Sequence, residues 1–144
     1  MATKQFAVIN GPNLNLLGTR EPEIYGSKTL DDIVKDTEEK LKDYDVEIEW
    51  FQSNIEGELV EKVQQLSVKS LTALVINPAA YSHTSVALLD ALKMLPFPVV
   101  EVHLSNTHLR EEFRSTKMTA KASSVVIEGL GSNAYFMGIL SQLI

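Results

Sequence analysis

Two hydrophobic periods take turns along this chain, and each switch between them marks an element boundary. Residues 6–10 (FAVIN) and 72–77 (TALVIN) are continuous apolar runs, the pattern of strands buried on both faces. Residues 46–51 (VEIEWF) alternate instead, with Val46, Ile48 and Trp50 on one face and Glu47 and Glu49 on the other, as in a half-exposed edge strand. Residues 98–103 (PVVEVH) and 124–128 read as two more strands. Between them the period becomes helical: Leu30, Ile33, Val34, Thr37, Leu41 and Tyr44 share a face, with Thr29 and Asp32 as a cap. Leu59, Val60, Val63 and Leu66 do the same within residues 58–68. Helices are also predicted over 84–95 and 132–144, the last apolar almost all round, and a helical turn over 109–114.

Strands alternating with helices imply right-handed crossovers and a parallel sheet. With the second strand at an edge, the expectation is one α/β domain over residues 1–144. It should be a flavodoxin-like three-layer sandwich with a five-stranded parallel sheet in the order 2-1-3-4-5. Ligands in such sheets bind beyond the carboxyl ends of the strands, where the order reverses between strands 1 and 3. Those ends carry residues 10–13, 77–83 and 103–105, including two of the three histidines. Residues 10–26 (NGPNLNLLGTREPEIYG) then form a connection with no period of its own. Its length and its Asn, Arg and Tyr side chains suggest an active-site lid rather than a linker.

Bulk properties narrow the chemistry. A net charge of −6 disfavours a nucleic-acid partner. The absence of cysteine removes disulfides, thiolate metal sites and a cysteine nucleophile. No apolar run is long enough to span a membrane, and a soluble, cytoplasmic protein is expected.

Three kinds of site are then open. Glu101 and His103 share a strand face, so the carboxylate can orient the imidazole for metal binding or for acid catalysis; a structural role fits too. With His83 they make three candidate metal ligands, but metal sites usually show a recognisable ligand spacing, and neither H-x-x-x-H nor H-x-H occurs. Gly11–Pro12–Asn13 and Gly129–Leu130–Gly131 sit near helix starts that could collect anions, but neither matches a known phosphate-binding spacing. Proton chemistry by Tyr25 is the third. A free tyrosine has a pKa of about 10, and lowering it to about 8 takes about 2.7 kcal/mol of differential interaction. A guanidinium in a closed site supplies that order of energy, and Arg20 lies in the same loop. Tyr25 packing a loop end, with Arg20 in solvent, explains the spacing equally well.

The stretch NGPNLNLLGTREPEIYG, then NPAAYSHTSVALLDAL, then EVHLSNTHLREEFR, in that order, resembles the type II 3-dehydroquinases across essentially the whole chain. The resemblance implies a carbon–oxygen hydro-lyase that dehydrates 3-dehydroquinate to 3-dehydroshikimate, with no metal and no cofactor, in aromatic biosynthesis or quinate catabolism. It implies an anti elimination through an enolate. Tyr25 matches the base and Arg20 the lid arginine that keeps it ionised. Asn13 matches the residue holding a water against the enolate oxygen, His103 the general acid, and Glu101 the carboxylate orienting it. Asn77, His83 and Arg114 match contacts to the ring hydroxyls, and Ser105 with the backbone of Leu104 the pocket for the substrate carboxylate. Asp90 matches a residue that reaches a neighbouring subunit's site, which implies a homo-oligomer, a dodecamer built from trimers. Arg110 shares a helical face with Arg114, but only Arg114 matches the substrate arginine.

The chain departs from the family pattern in places. Ala79 stands where glycine is common, Ser82 where threonine is, and Ser115–Thr116–Lys117–Met118–Thr119 where a histidine, a serine and an aromatic are usual. Residues 131–134 (GSNA) differ as well. These segments bear on subunit contacts and inhibitor fit, not on the chemical residues. The alternative reading is a relative that binds a quinate-like ligand without turnover.

Overall fold

The computed structural model describes residues 2–19 and 21–144, and of Tyr25 the backbone only. Five parallel strands make one sheet: β1 (Lys4–Asn10), β2 (Val46–Gln52), β3 (Ala73–Asn77), β4 (Val99–His103) and β5 (Val125–Glu128), in the order β2-β1-β3-β4-β5. This is the flavodoxin-like α/β architecture that the alternating pattern predicts. The two continuous apolar runs lie inside the sheet, and the alternating VEIEWF run is an edge with its residues mostly half-buried.

The sheet is covered on both faces, because its inner strands are apolar on both. One face packs Phe6, Val8, Val75, Val100 and Val102 against α2 (Leu30–Lys40) and α5 (Asn133–Leu140). The other packs Ala7, Ile9, Leu74, Ile76 and Val99 against α3 (Glu56–Leu66) and α4 (Val86–Leu92). Gly138 lets α5 sit close, since a Cβ there would meet Val75, Val100 and Val102 at 3.3–3.4 Å. Helix α2 begins with the expected capping box: Thr29 Oγ1 accepts from Asp32 N–H, and Asp32 Oδ2 accepts from Thr29 N–H, both at 3.1 Å.

Several boundaries differ from expectation. The helix predicted over 84–95 spans only Val86–Leu92. Ser85 stops it at the front, extended in backbone and accepting from Leu88 N–H, while residues Ala79–His83 form a separate 3-10 turn. His83 and Asp90 therefore do not share one helix face. The turn predicted over 109–114 is two 3-10 turns, Thr107–Leu109 and Glu112–Ser115, with Arg110 extended between them, so Arg110 and Arg114 are not on one helical face either. The last helix ends at Leu140. The long connection after β1, read as lacking any period, contains a 3-10 turn (Leu14–Leu16) and a four-residue helix α1 (Pro22–Tyr25) opened by Pro22. A further 3-10 turn spans Thr119–Ala122.

Candidate active site

The carboxyl ends of β1, β3 and β4 meet at one end of the sheet. The close approach there depends on Gly11: a Cβ at this position would fall 2.4 Å from the carbonyl oxygen of Pro78. Gly11 N–H donates to Asn77 O at 2.8 Å, which zips the exits of β1 and β3 together. The opening beyond them is a cleft whose lining includes Asn13, Asn77, His83, His103, Ser105 and Arg114. Six of the expected site residues thus converge although they are spread over a hundred positions, and Leu104 lines the same cleft.

Its floor is built around a buried carboxylate. Glu101 is fully buried on β4, where unpaired charge would be costly, and it is surrounded by donors. Its Oε2 lies 2.7 Å from His103 Nε2 and accepts from Ser82 Oγ at 2.7 Å. Its Oε1 accepts from Thr119 Oγ1 at 2.5 Å. Holding Nε2 in this way fixes the ring's orientation and leaves Nδ1 as the nitrogen available to the cleft. The alternation of β4 predicts the Glu101–His103 contact. Ser82 and Thr119 were not singled out as its partners, because they come from two 3-10 turns whose pairing no local period encodes.

His83 stacks on His103, with ring centroids 6.2 Å apart and planes 23° from parallel. Its Nδ1 lies 2.7 Å from Thr116 O, and a carbonyl only accepts, so Nδ1 carries the proton. Burial pushes the imidazole below its ordinary value of 6.5, with His103, Arg114 and Lys117 adding to that and the Thr116 carbonyl opposing it. The neutral ring leaves an acceptor at Nε2.

Asn77 is held in the opposite polarity. The backbone N–H of Ala79 can only donate, and it donates to Asn77 Oδ1 at 3.1 Å. Nδ2 then donates to Tyr135 Oη at 3.1 Å, and the phenol passes its own proton to Asn10 Oδ1 at 2.5 Å. Burial holds the Tyr135 phenol well above the ordinary tyrosine range, so it stays a donor. Asn77 therefore keeps one N–H for a ligand. Tyr135 lies outside the expected set; its position in an apolar helix reads as core, and only its hydroxyl hints at a polar partner.

Asn13 is in the left-handed region (φ 69°), a conformation asparagine tolerates, and its N–H donates to Asn54 Oδ1 at 2.9 Å. Arg114 lines the cleft with its Nε 3.0 Å from Glu111 Oε1. Arg110 lines it too, though the resemblance singled out only Arg114. Asp90 is exposed on α4 and is not part of the cleft wall. Arg20 and the side chain of Tyr25, the expected base and its partner, lie outside the described residues. Among the described residues, no three His, Cys, Asp or Glu side chains are grouped to hold a metal, and no helix is long and apolar enough to cross a membrane.

Comparison with known proteins places the chain in a family. The family model for class II dehydroquinases matches residues 4–143. The 3-dehydroquinate dehydratase of Clostridium botulinum is 54% identical over 132 residues, covering 92% of this chain and 89% of that one. That of Aliarcobacter butzleri is 50% identical over 139 residues, covering 96% and 84%. The crystal structure of type II dehydroquinase from Butyrivibrio crossotus superposes with a TM-score of 0.95 at 39% identity, covering 99% of both chains. Family model, relatives and fold coincide over almost the full length: the chain belongs to the class II dehydroquinase family.

Proposed function

We propose that this cleft dehydrates 3-dehydroquinate to 3-dehydroshikimate by anti elimination through an enolate, without metal or cofactor. The observation that carries the reading is the Glu101–His103 pair at the cleft floor, a hydrogen-bonded and fully packed carboxylate aiming an imidazole at the substrate space.

In this scheme the Tyr25 phenolate removes a proton from the carbon beside the ketone, and Arg20 keeps that phenol ionised. Negative charge moves to the ketone oxygen, where a water held by Asn13 stabilises it. The enolate then expels the hydroxyl on the far side. His103 donates its Nδ1 proton to that oxygen, so water leaves and the conjugated enone forms. Glu101, 2.7 Å behind the ring, offsets the positive charge of the imidazolium before transfer. Return of the phenol proton to the imidazole through solvent closes the cycle. Asn77 offers a donor and neutral His83 an acceptor, a complementary pair for neighbouring ring hydroxyls, with Arg114 beside them. Leu104 N–H and Ser105 take the substrate carboxylate. Asp90, exposed outside the cleft, serves a neighbouring copy's site in a homo-oligomer of trimers.

The rise in ultraviolet absorbance as the enone forms from 3-dehydroquinate tests the reading. Activity should survive exhaustive chelation and be untouched by borohydride in the presence of substrate. Loss under either treatment, or no enone at all, would overturn it.

A further inference from the structure

Residues 116–119 lie as a strap against the acid site. Thr116 O accepts from His83 Nδ1, Met118 N–H donates to Ser82 O at 2.7 Å, and Thr119 Oγ1 donates to Glu101. Three of its four residues therefore touch the acid pair or its supports. The fourth, Lys117, has a side chain only 7% exposed, an expensive place for an ammonium that lacks a counter-charge. Its Nζ lies 3.0 Å from Glu128 Oε2, at the end of β5.

Glu128 has a second set of partners. Its Oε1 accepts both the N–H of Thr107, at 2.9 Å, and the Thr107 hydroxyl, at 2.6 Å. His108 Nε2 stands 3.9 Å from Oε2. Burial opposes ionisation of this carboxyl, but the Thr107 hydroxyl and amide and the Lys117 ammonium outweigh it and hold the pKa at about 2. Thr107 is 3% exposed, lines the cleft and follows Ser105 by two residues. One carboxylate thus ties the end of β5, which is in register with β4 at His103, to the turn after β4 and to the strap.

We propose that Glu128, with Lys117 as its anchor, is a positioning residue for the substrate-carboxylate subsite, fixing the Leu104–Thr107 turn against the strap that braces His83 and Glu101. The inference rests on the reading of Leu104 and Ser105 as the carboxylate pocket. A carboxylate ligand needs its donors fixed within a few tenths of an ångström, whereas a turn released from Glu128 has two freed donors on Thr107 and keeps its tie at the other end, where Gly131 N–H donates to Leu104 O at 2.9 Å. Glu128 touches no substrate itself; it acts through Thr107.

The test uses the full chain as wild type, Glu128→Ala, Lys117→Met and the combination. Kinetics are read with 3-dehydroquinate, and affinity with quinate and with its primary amide, which lacks only the charged carboxylate. Glu128→Ala should raise KM and the Kd for quinate about tenfold, leave kcat within about twofold and leave the Kd for the amide unchanged. Lys117→Met should give a smaller rise of the same kind, and the combined variant should be no worse than Glu128→Ala, because Lys117 works through Glu128. Equal weakening of acid and amide would mark a general loss of structure, and an unchanged quinate affinity would mark a mere surface tie. Either overturns the proposal. Should Glu128→Ala not fold, Glu128→Gln keeps an acceptor for Thr107 but sets an amide group against Lys117. It should show about a threefold rise confined to the acid, and a rise shared by the amide, or none, overturns the proposal equally. If wild type binds acid and amide alike, the carboxylate pocket itself is misread and both readings fall. If wild type prefers the acid and Glu128→Ala prefers it as strongly, only the positioning role falls.

Discussion

Single side chains in this cleft have their polarity set by backbone groups that cannot change role. The Thr116 carbonyl forces the His83 proton onto Nδ1, and the Ala79 N–H forces the Asn77 oxygen away from Tyr135. Because burial holds His83 below 6.5, its Nε2 acceptor persists as pH falls through that value and is lost only once the ring protonates. KM for 3-dehydroquinate should then stay flat down to pH 6.5 and rise at lower pH, in a pH series that separates KM from kcat; a KM that climbs already above pH 6.5 would contradict this. Ala79 carries a cost at the same spot, sitting at φ 54°, in the left-handed region. The left-handed conformation costs alanine roughly 1–2 kcal/mol, and the extra freedom of glycine when unfolded takes back about 0.4–1. The net gain of about 0–1.6 kcal/mol means Ala79→Gly should raise Tm by up to about 5 °C in calorimetry, and a lower Tm would show that the αL strain is relieved by other means. The sequence marks Ala79 as unusual, while the left-handed backbone that makes it so appears only in three dimensions.

At the scale of elements, what could be read in advance follows what each period can carry. Strands β1 to β4 and helix α3 are strongly patterned segments and lie where the pattern puts them within two residues; α2 starts at Leu30 as the pattern puts it but ends at Lys40, short of Leu41 and Tyr44. The short pieces were missed because a 3-10 turn or a four-residue helix completes too little of a period to register, and these are the pieces that frame the cleft. Glu101 illustrates the division. Its pairing with His103 follows from two positions on one strand, but its hydroxyl donors come from Ser82 and Thr119, brought together by packing alone. The connection holding α1 is framed by Gly18 (φ 90°) and Gly26 (φ 86°), backbone conformations that suit a pivot. We expect this lid to be cut readily by protease without ligand and protected by a stable analogue. Arg20→Ala should depress kcat near neutrality and move the acidic limb of the kcat/KM profile to higher pH, so that some activity returns in alkali. An equal loss at every pH would leave Arg20 as a substrate contact and remove its role in ionising Tyr25.

The whole molecule exposes large apolar side chains in the turns between β4 and β5 and on β5 itself. Leu109 is 83% exposed and Phe113 61%, both in the turns between β4 and β5, and Val126 lies open on the edge strand. With Asp90 displayed on α4 away from its own cleft, these surfaces fit burial against further copies. Light scattering should report an assembly larger than a trimer; a fully active monomer of 16.0 kDa would contradict it. Fold and family follow from the long motifs, and assembly does not, because a monomer's pattern shows which faces are apolar without showing what covers them. The chemical centre remains the claim on which the rest depends: a buried carboxylate holding His103 as the proton donor to the leaving hydroxyl. The most direct measurement is kcat of His103→Ala by enone absorbance, beside the Kd of a stable substrate analogue. The account predicts a loss of about 10² to 10⁴ in kcat with analogue affinity kept within about tenfold. A variant that keeps more than about a tenth of wild-type turnover, well short of that loss, would contradict it.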